Sequence, residues 1–190
     1  MKKNGFTLVE LLATIVILCI TITIVIVQVD KNIKDANDFG NKMQKEAIES
    51  AALIYAEDYR NNLSNINEKK VDTVSLETLI NQGLLEEKDV KNIDKSSITI
   101  IAEINDTIKV KYTGESKNVI FLNGPSEISI YVGDEYKEMG AFVAVPGTGV
   151  IELTSSNILS TLDTSNIGEY KVTYSYSNTE SVERTISVIN

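Results

Sequence analysis

The sequence predicts an α+β protein: a long N-terminal helix with an apolar first half, a small α/β head, and a C-terminal all-β sandwich. Three observations carry that class. Residues 6–29 form an apolar run with one carboxylate, Glu10. From Ala36 to Tyr59 apolar residues recur three or four apart, the spacing of one helix face. From Val119 onward the chain breaks into short alternating segments divided by turn residues, the pattern of a small β-sandwich.

The apolar run sets the order of the rest. At ~1.5 Å per residue a helix over Phe6–Val29 is about 36 Å long, enough to cross the hydrocarbon core of a bilayer. The segment Ile15–Val27 is rich in β-branched residues, and propensity alone would make it a strand. A single span, however, satisfies its backbone in lipid only as a helix. Glu10 admits two readings from the residues alone. A carboxylate near the membrane interior costs about 2.5–3.5 kcal/mol and is usually functional or paired. One turn into the span it could instead sit at headgroup level, favoured by the positive end of the helix dipole. An ordinary secretory signal peptide does not fit, because the run is too long and Val27-Gln-Val-Asp30 is no small-residue cleavage site.

Composition narrows the function. The formal charge is −9, from 18 basic and 27 acidic residues, and becomes −11 if Lys2 and Lys3 are removed (16 against 27). An acidic chain is a poor binder of phosphate backbones, so no direct nucleic-acid contact is expected. Histidine is absent, which excludes histidine bases and His-ligated zinc. Cys19, the only cysteine, lies in the apolar run and can form no internal disulfide. No paired carboxylates, nucleophile–base set or phosphate loop emerge, so no catalytic residue, metal or cofactor is expected and the chain reads as a non-enzyme.

Beyond Val29 the stripe Ala36, Phe39, Met43, Ala47, Ala51, Ile54, Tyr55 and Tyr59 continues the helix, with a bend or fray expected at Gly40. The helix should fade by Asn61-Asn62. Ser75 to Gly83 reads as a short helix, capped by Ser75 and stopped by Gly83, with Leu76, Leu79 and Ile80 facing the long one. Ser97–Glu103 and Thr107–Tyr112 read as strands joined by a tight turn at Asn105-Asp106. The polar segment Thr113–Asn118 reads as a linker, after which residues 119–190 should fold independently. Strands are expected at Val119–Leu122, Glu127–Val132, Ala141–Val145, Val150–Thr154, Glu169–Ser177 and Val182–Ile189. The core should draw on Tyr170, Val172, Tyr174 and Ile186.

Two stretches resemble known families. Gly5 followed by Phe6-Thr-Leu-Val-Glu10-Leu-Leu12, behind two lysines, resembles the type IV prepilin leader, and residues 74–112 look like a pseudopilin head. The resemblance implies cleavage between Gly5 and Phe6 by a prepilin peptidase, N-methylation of Phe6, and pairing of Glu10 with the amine of a neighbouring subunit. On this reading residues 1–5 are the leader, 6–29 the transmembrane and filament-core helix, and 30–118 the amphipathic helix and head. Unlike many pilins, residues 11–29 contain neither Pro nor Gly. Ile128–Tyr136, Gly140-Ala141, Asp163-Thr164, Gly168–Tyr174 and Arg184–Val188 resemble the immunoglobulin-like domains of bacterial surface proteins, which makes 119–190 an Ig-like sandwich. Here the loop Pro146-Gly-Thr-Gly149 carries no carboxylate, so Asp134, Glu135 and Asp163 read as turn residues rather than calcium ligands. The resemblances imply a minor type IV pilin-like subunit. It would be single-pass in the membrane and then part of a cell-surface filament, with other pilin subunits and a surface or protein ligand of the Ig-like domain as partners. The alternative is a pseudopilin of a type II secretion or DNA-uptake machine.

Overall fold

A computed structural model describes residues 34, 36–177 and 179–190. Residues 1–44 and 45–190 form two compact units. In the first, the described positions from 36 onward are helical and Phe39 is 66% exposed. The helix, α1, occupies residues 36–58 without interruption at Gly40, so the expected bend is absent. Glycine weakens a helix through backbone entropy but leaves its hydrogen-bond ladder intact.

In the second unit the buried face of α1 is Ile48, Ala51, Ala52, Tyr55 and Ala56, flanked by Ala47 and Tyr59. The expected stripe was right for Ala47, Ala51, Tyr55 and Tyr59 but not for Ile54, which is 46% exposed. Two consecutive apolar pairs, Ala51-Ala52 and Tyr55-Ala56, turn the face toward Ile48 instead. The rings of Tyr55 and Tyr59 stack 5.3 Å apart. After α1 a 3-10 turn covers Arg60–Asn62, and a short helix α2 covers Ile66–Lys69.

The head sheet has the order β1 (Val71–Ser75), β2 (Ile98–Ile104), β3 (Thr107–Gly114), all antiparallel. Helix α3 (Leu76–Asn81) is capped by Ser75, whose side chain accepts from Thr78 N, and Gly83 follows at φ +71°. Leu76 and Leu79 pack into the α1 cluster as expected. Asn105 and Asp106 have φ of 51° and 60°, so the β2–β3 hairpin turns where the sequence places it. Glu103 binds the side chains of both Arg60 and Lys70, and Glu49 Oε1 accepts from Tyr112 N (2.9 Å), tying α1 to the sheet. Strand β1 was not anticipated; its Val71-Asp-Thr-Val-Ser75 run was absorbed into the approach to α3.

The sandwich has two sheets. One has the order β4 (Val119–Leu122), β6 (Ala141–Val145), β7 (Gly149–Glu152); the other β5 (Glu127–Tyr131), β10 (Val182–Ile189), β9 (Gly168–Tyr174), β8 (Ile158–Ser160). β5 runs parallel to β10 and the remaining pairs are antiparallel. All six expected strands are present, and β8 is additional. Between the sheets lie Ile120, Val143, Leu153, Val172, Tyr174 and Ile186. Tyr170 is only half-buried, its hydroxyl donating to Asn166 O at 3.1 Å.

The other face of β4–β6–β7 is also buried. Val119, Phe121 and Ala144 share an apolar cluster with Val71, Ile100, Ala102 and Ile104 of the head sheet. Strand β2 is therefore covered on both faces, by α1 through Ile101 and by the sandwich through Ile100, Ala102 and Ile104. This explains the near-continuous Ile98-Thr-Ile-Ile-Ala102 run, which a half-exposed strand would not need. At the same joint Lys109 Nζ donates to Leu122 O (2.6 Å). A Cβ on Gly149, at φ +140°, would lie 2.8 Å from Lys69 O, so glycine is what lets β7 approach α2. β3 takes in Thr113 and Gly114, leaving a linker of only 115–118 between the two sheets. Head and sandwich thus share a core, against the expectation of insulated domains.

Candidate functional site

The assembly residues read from sequence, Gly5, Phe6 and Glu10, and the apolar run 6–29 lie outside the described residues. Among the described residues no helix is long and apolar enough to cross a membrane.

Within the sandwich the most elaborate polar arrangement surrounds Arg184. Alternation along β10 puts Arg184 on the same inward face as Ile186 and Val188, and it is 0% exposed. Nε donates to Pro125 O (3.0 Å), and Nη2 to Asn123 O (2.6 Å) and Gly140 O (3.5 Å). Nη1 donates to Tyr174 Oη (2.7 Å), Tyr136 Oη (3.1 Å) and Glu138 Oε1 (3.0 Å). Glu138 accepts in turn from Tyr174 Oη (2.5 Å), Gly140 N (2.6 Å) and Tyr136 Oη (3.0 Å).

The electrostatics follow from those contacts. Burial pushes the Glu138 carboxyl up, but hydrogen bonds from Tyr174, Gly140 and Tyr136, together with Arg184, outweigh it and hold the pKa below its ordinary value. Burial, followed by the hydrogen bond to Glu138, raises the Tyr174 phenol. Every donor direction of the guanidinium is occupied, so this cluster is a clamp and not a reactive centre. It fastens the irregular 123–125 and 136–140 segments to β9 and β10. Sequence reasoning quoted Arg184 without assigning it a place; the signal was a charge at an inward position of Val182-x-Arg184-x-Ile186-x-Val188.

The acidic turn residues serve their own loops. Asp163 accepts from Asn166 Nδ2 (2.8 Å) and Ser165 N (2.9 Å), and these bonds lower its pKa. Asp134 Oδ2 accepts from Tyr131 N (3.0 Å). Among the described residues no group of three His, Cys, Asp or Glu is placed to hold a metal ion. Two surface hollows stand apart from these turns. One, of about 370 Å³, lies beside the linker between Lys45, Lys111, Lys117 and Glu180. The other, of about 440 Å³, lies on the outer face of the four-stranded sheet.

Comparison with known proteins gives two family matches. The prokaryotic N-terminal methylation motif matches residues 1–26, and the Ig-like domain of bacterial surface proteins matches residues 120–188. Among solved structures the chain is similar to the crystal structure of a lipoprotein from Bacteroides thetaiotaomicron, at 21% identity and a TM-score of 0.31. That match covers 38% of this chain and 37% of the lipoprotein. No curated protein matches the chain. The chain therefore carries a prokaryotic N-terminal methylation motif, the class III prepilin leader, at residues 1–26 and a bacterial surface Ig-like domain at residues 120–188.

Proposed function

We propose that this chain is a type IV pilin-like structural subunit, a minor one, which carries its Ig-like sandwich on a cell-surface filament for adhesion. The observation that carries the reading is the joining of a prepilin leader and a surface Ig-like domain in one chain of 190 residues. A prepilin peptidase cuts between Gly5 and Phe6. Residues 6–29 anchor the subunit in the membrane and then enter the filament core, beside other pilin subunits. Residues 30–118 form the amphipathic helix and pilin-type head, and 119–190 the displayed module. Cleavage creates a cation at Phe6, and Glu10 is the anion that meets such an amine on a neighbour. Either charge left unpaired in apolar surroundings is costly, so the pair selects one axial register. The sandwich favours a minor subunit, because every copy of a major one would have to accommodate it.

Mass spectrometry of the mature N-terminus tests the processing: an N-methylated Phe6 is expected, and an intact Met1 in surface protein overturns it. Glu10→Val should insert normally yet enter filaments at least about tenfold less, given that breaking a buried pair costs about 3–5 kcal/mol. Wild-type incorporation would remove the register role from Glu10.

A further inference from the structure

The outward face of the sheet β5–β10–β9 is organised by register. Glu127 stands beside Thr185, Ser129 beside Ser187, and Ser187 beside Glu169. Tyr131 ends the row beside Ile189, 60% exposed. Directly paired side chains in neighbouring strands sit about 5 Å apart. Glu127, Ser129, Glu169, Thr185 and Ser187 line the hollow of about 440 Å³.

Its side chains are unusually idle. Among the described residues the hydroxyls of Ser129, Thr185 and Ser187 make no hydrogen bond, and Glu127 has no ion pair. Glu169 meets Lys171 only through longer-range charge, because Lys171 Nζ is bonded to Glu183 at 2.6 Å. That Lys171–Glu183 pair, on the same face, shows how a merely solvated sheet surface settles its charges. The hollow instead keeps two carboxylate acceptors and three hydroxyls free, with one aromatic plate at its end.

We propose that this face, residues Glu127, Ser129, Tyr131, Glu169, Thr185 and Ser187, is the binding site of a neutral glycan. The proposal rests on the adhesive reading above and gives it a ligand class. Sugar hydroxyls donate to the two carboxylates and exchange hydrogen bonds with the serines and threonine. The apolar C–H face of a sugar ring lies on Tyr131, whose ring offers apolar area with little entropy to lose. A chain of net charge −9 with two free carboxylates in the hollow repels an anionic ligand. Two carboxylates are too few to cage a calcium ion, which takes 6–8 oxygen ligands. From Glu127 to Tyr131 the strand spans ~13 Å, room for a short oligosaccharide.

The test is calorimetric titration of the full chain in detergent micelles with chitohexaose, maltohexaose and mannohexaose. At least one should bind. Tyr131→Ala should weaken it about tenfold and Glu169→Gln or Ser187→Val about threefold each, the scale of an interface anchor and its polar neighbours. Leu159→Ser, on the same sheet outside the hollow, should leave binding unchanged. All four positions lie at the surface, so thermal unfolding should stay at the wild-type value. The proposal is overturned if none of the three sugars binds at millimolar concentration or if Tyr131→Ala binds as well as wild type. Binding abolished by a calcium chelator overturns it as well. Filament incorporation is scored separately. Lost sugar binding with normal incorporation defeats this inference alone, and binding without incorporation defeats the subunit reading alone.

Discussion

Thr99 in the head and Arg184 in the sandwich are both buried on an inner strand of their sheet, β2 and β10, and their surroundings differ completely. Arg184 has six acceptors around three nitrogens. Thr99 Oγ1 has no partner among the described residues. Net, a satisfied hydrogen bond contributes about 0.5–1.5 kcal/mol, whereas an orphaned buried group costs about 1–3 kcal/mol. The sandwich thus turns its buried polar group into a clamp, while the head carries one as a liability. The head can bear it because β2 is packed on both faces.

Separating the two regions asks how far the clamp suffices by itself. Residues 119–190 alone would expose Val119, Phe121 and Ala144, now buried against the head. Each large side chain returned to water costs about 1.5–3 kcal/mol, so separation should cost on the order of 5 kcal/mol. A sandwich of 72 residues is a domain size with little stability to spare. Expressed alone, it should unfold at a much lower temperature than in the full chain, or associate through the bared face. Cooperative unfolding at the full-chain temperature would show that the joint adds nothing.

A smaller effect distinguishes the members of the clamp. Glu138→Ala leaves the guanidinium buried without its counter-charge and should cost about 3–5 kcal/mol. Arg184→Met removes the buried charge itself, leaving Glu138 partly exposed to water and neutral hydroxyls and carbonyls to readjust, so about 1–3 kcal/mol is expected. Denaturant unfolding of the full chain decides the order, and the reverse order would break the argument. Glu138 also has a pH signature. Its pKa is lower folded than unfolded, so its stabilisation is complete above the ordinary value of 4.5 and disappears as pH falls through the folded value. Wild type should lose stability below about pH 4.5 more steeply than Glu138→Gln.

What could be read in advance was whatever period and turn chemistry encode. Four-residue β4 and eight-residue β10 were placed to the residue, because each alternates between turn signals. The Asn105-Asp106 turn and the Ser75 cap were legible because few residue types meet those backbone demands. The joint was not. Polarity at Thr113–Asn118 suggested a free linker, and nothing local in Val119-Ile-Phe-Leu122 says that two different partners cover its two faces. The double burial was written only as continuous apolarity, in β2 and again in β4. Arg184 was hidden for the opposite reason: its partners lie 10 to 61 residues away, beyond any local pattern. The leader and Glu10 rest on a motif alone.

The smallest expected effect sharpens the comparison most cleanly. Thr99 lies on the α1 face of β2 opposite Tyr112, 1% exposed. Thr99→Val keeps the β-branched shape that strands favour and exchanges the orphaned hydroxyl for a methyl of similar size. Removing an unsatisfied buried hydroxyl should stabilise the full chain by about 1 kcal/mol, raising Tm by about 2–4 °C at this chain length. Thr99→Ser keeps the hydroxyl and deletes the methyl, so it should instead destabilise, by about 1 kcal/mol. The two substitutions therefore move Tm in opposite directions if the hydroxyl is idle. If Val lowers Tm, the hydroxyl is held by a buried water. Thr99 is then as well satisfied as Arg184, and the contrast between head and sandwich disappears.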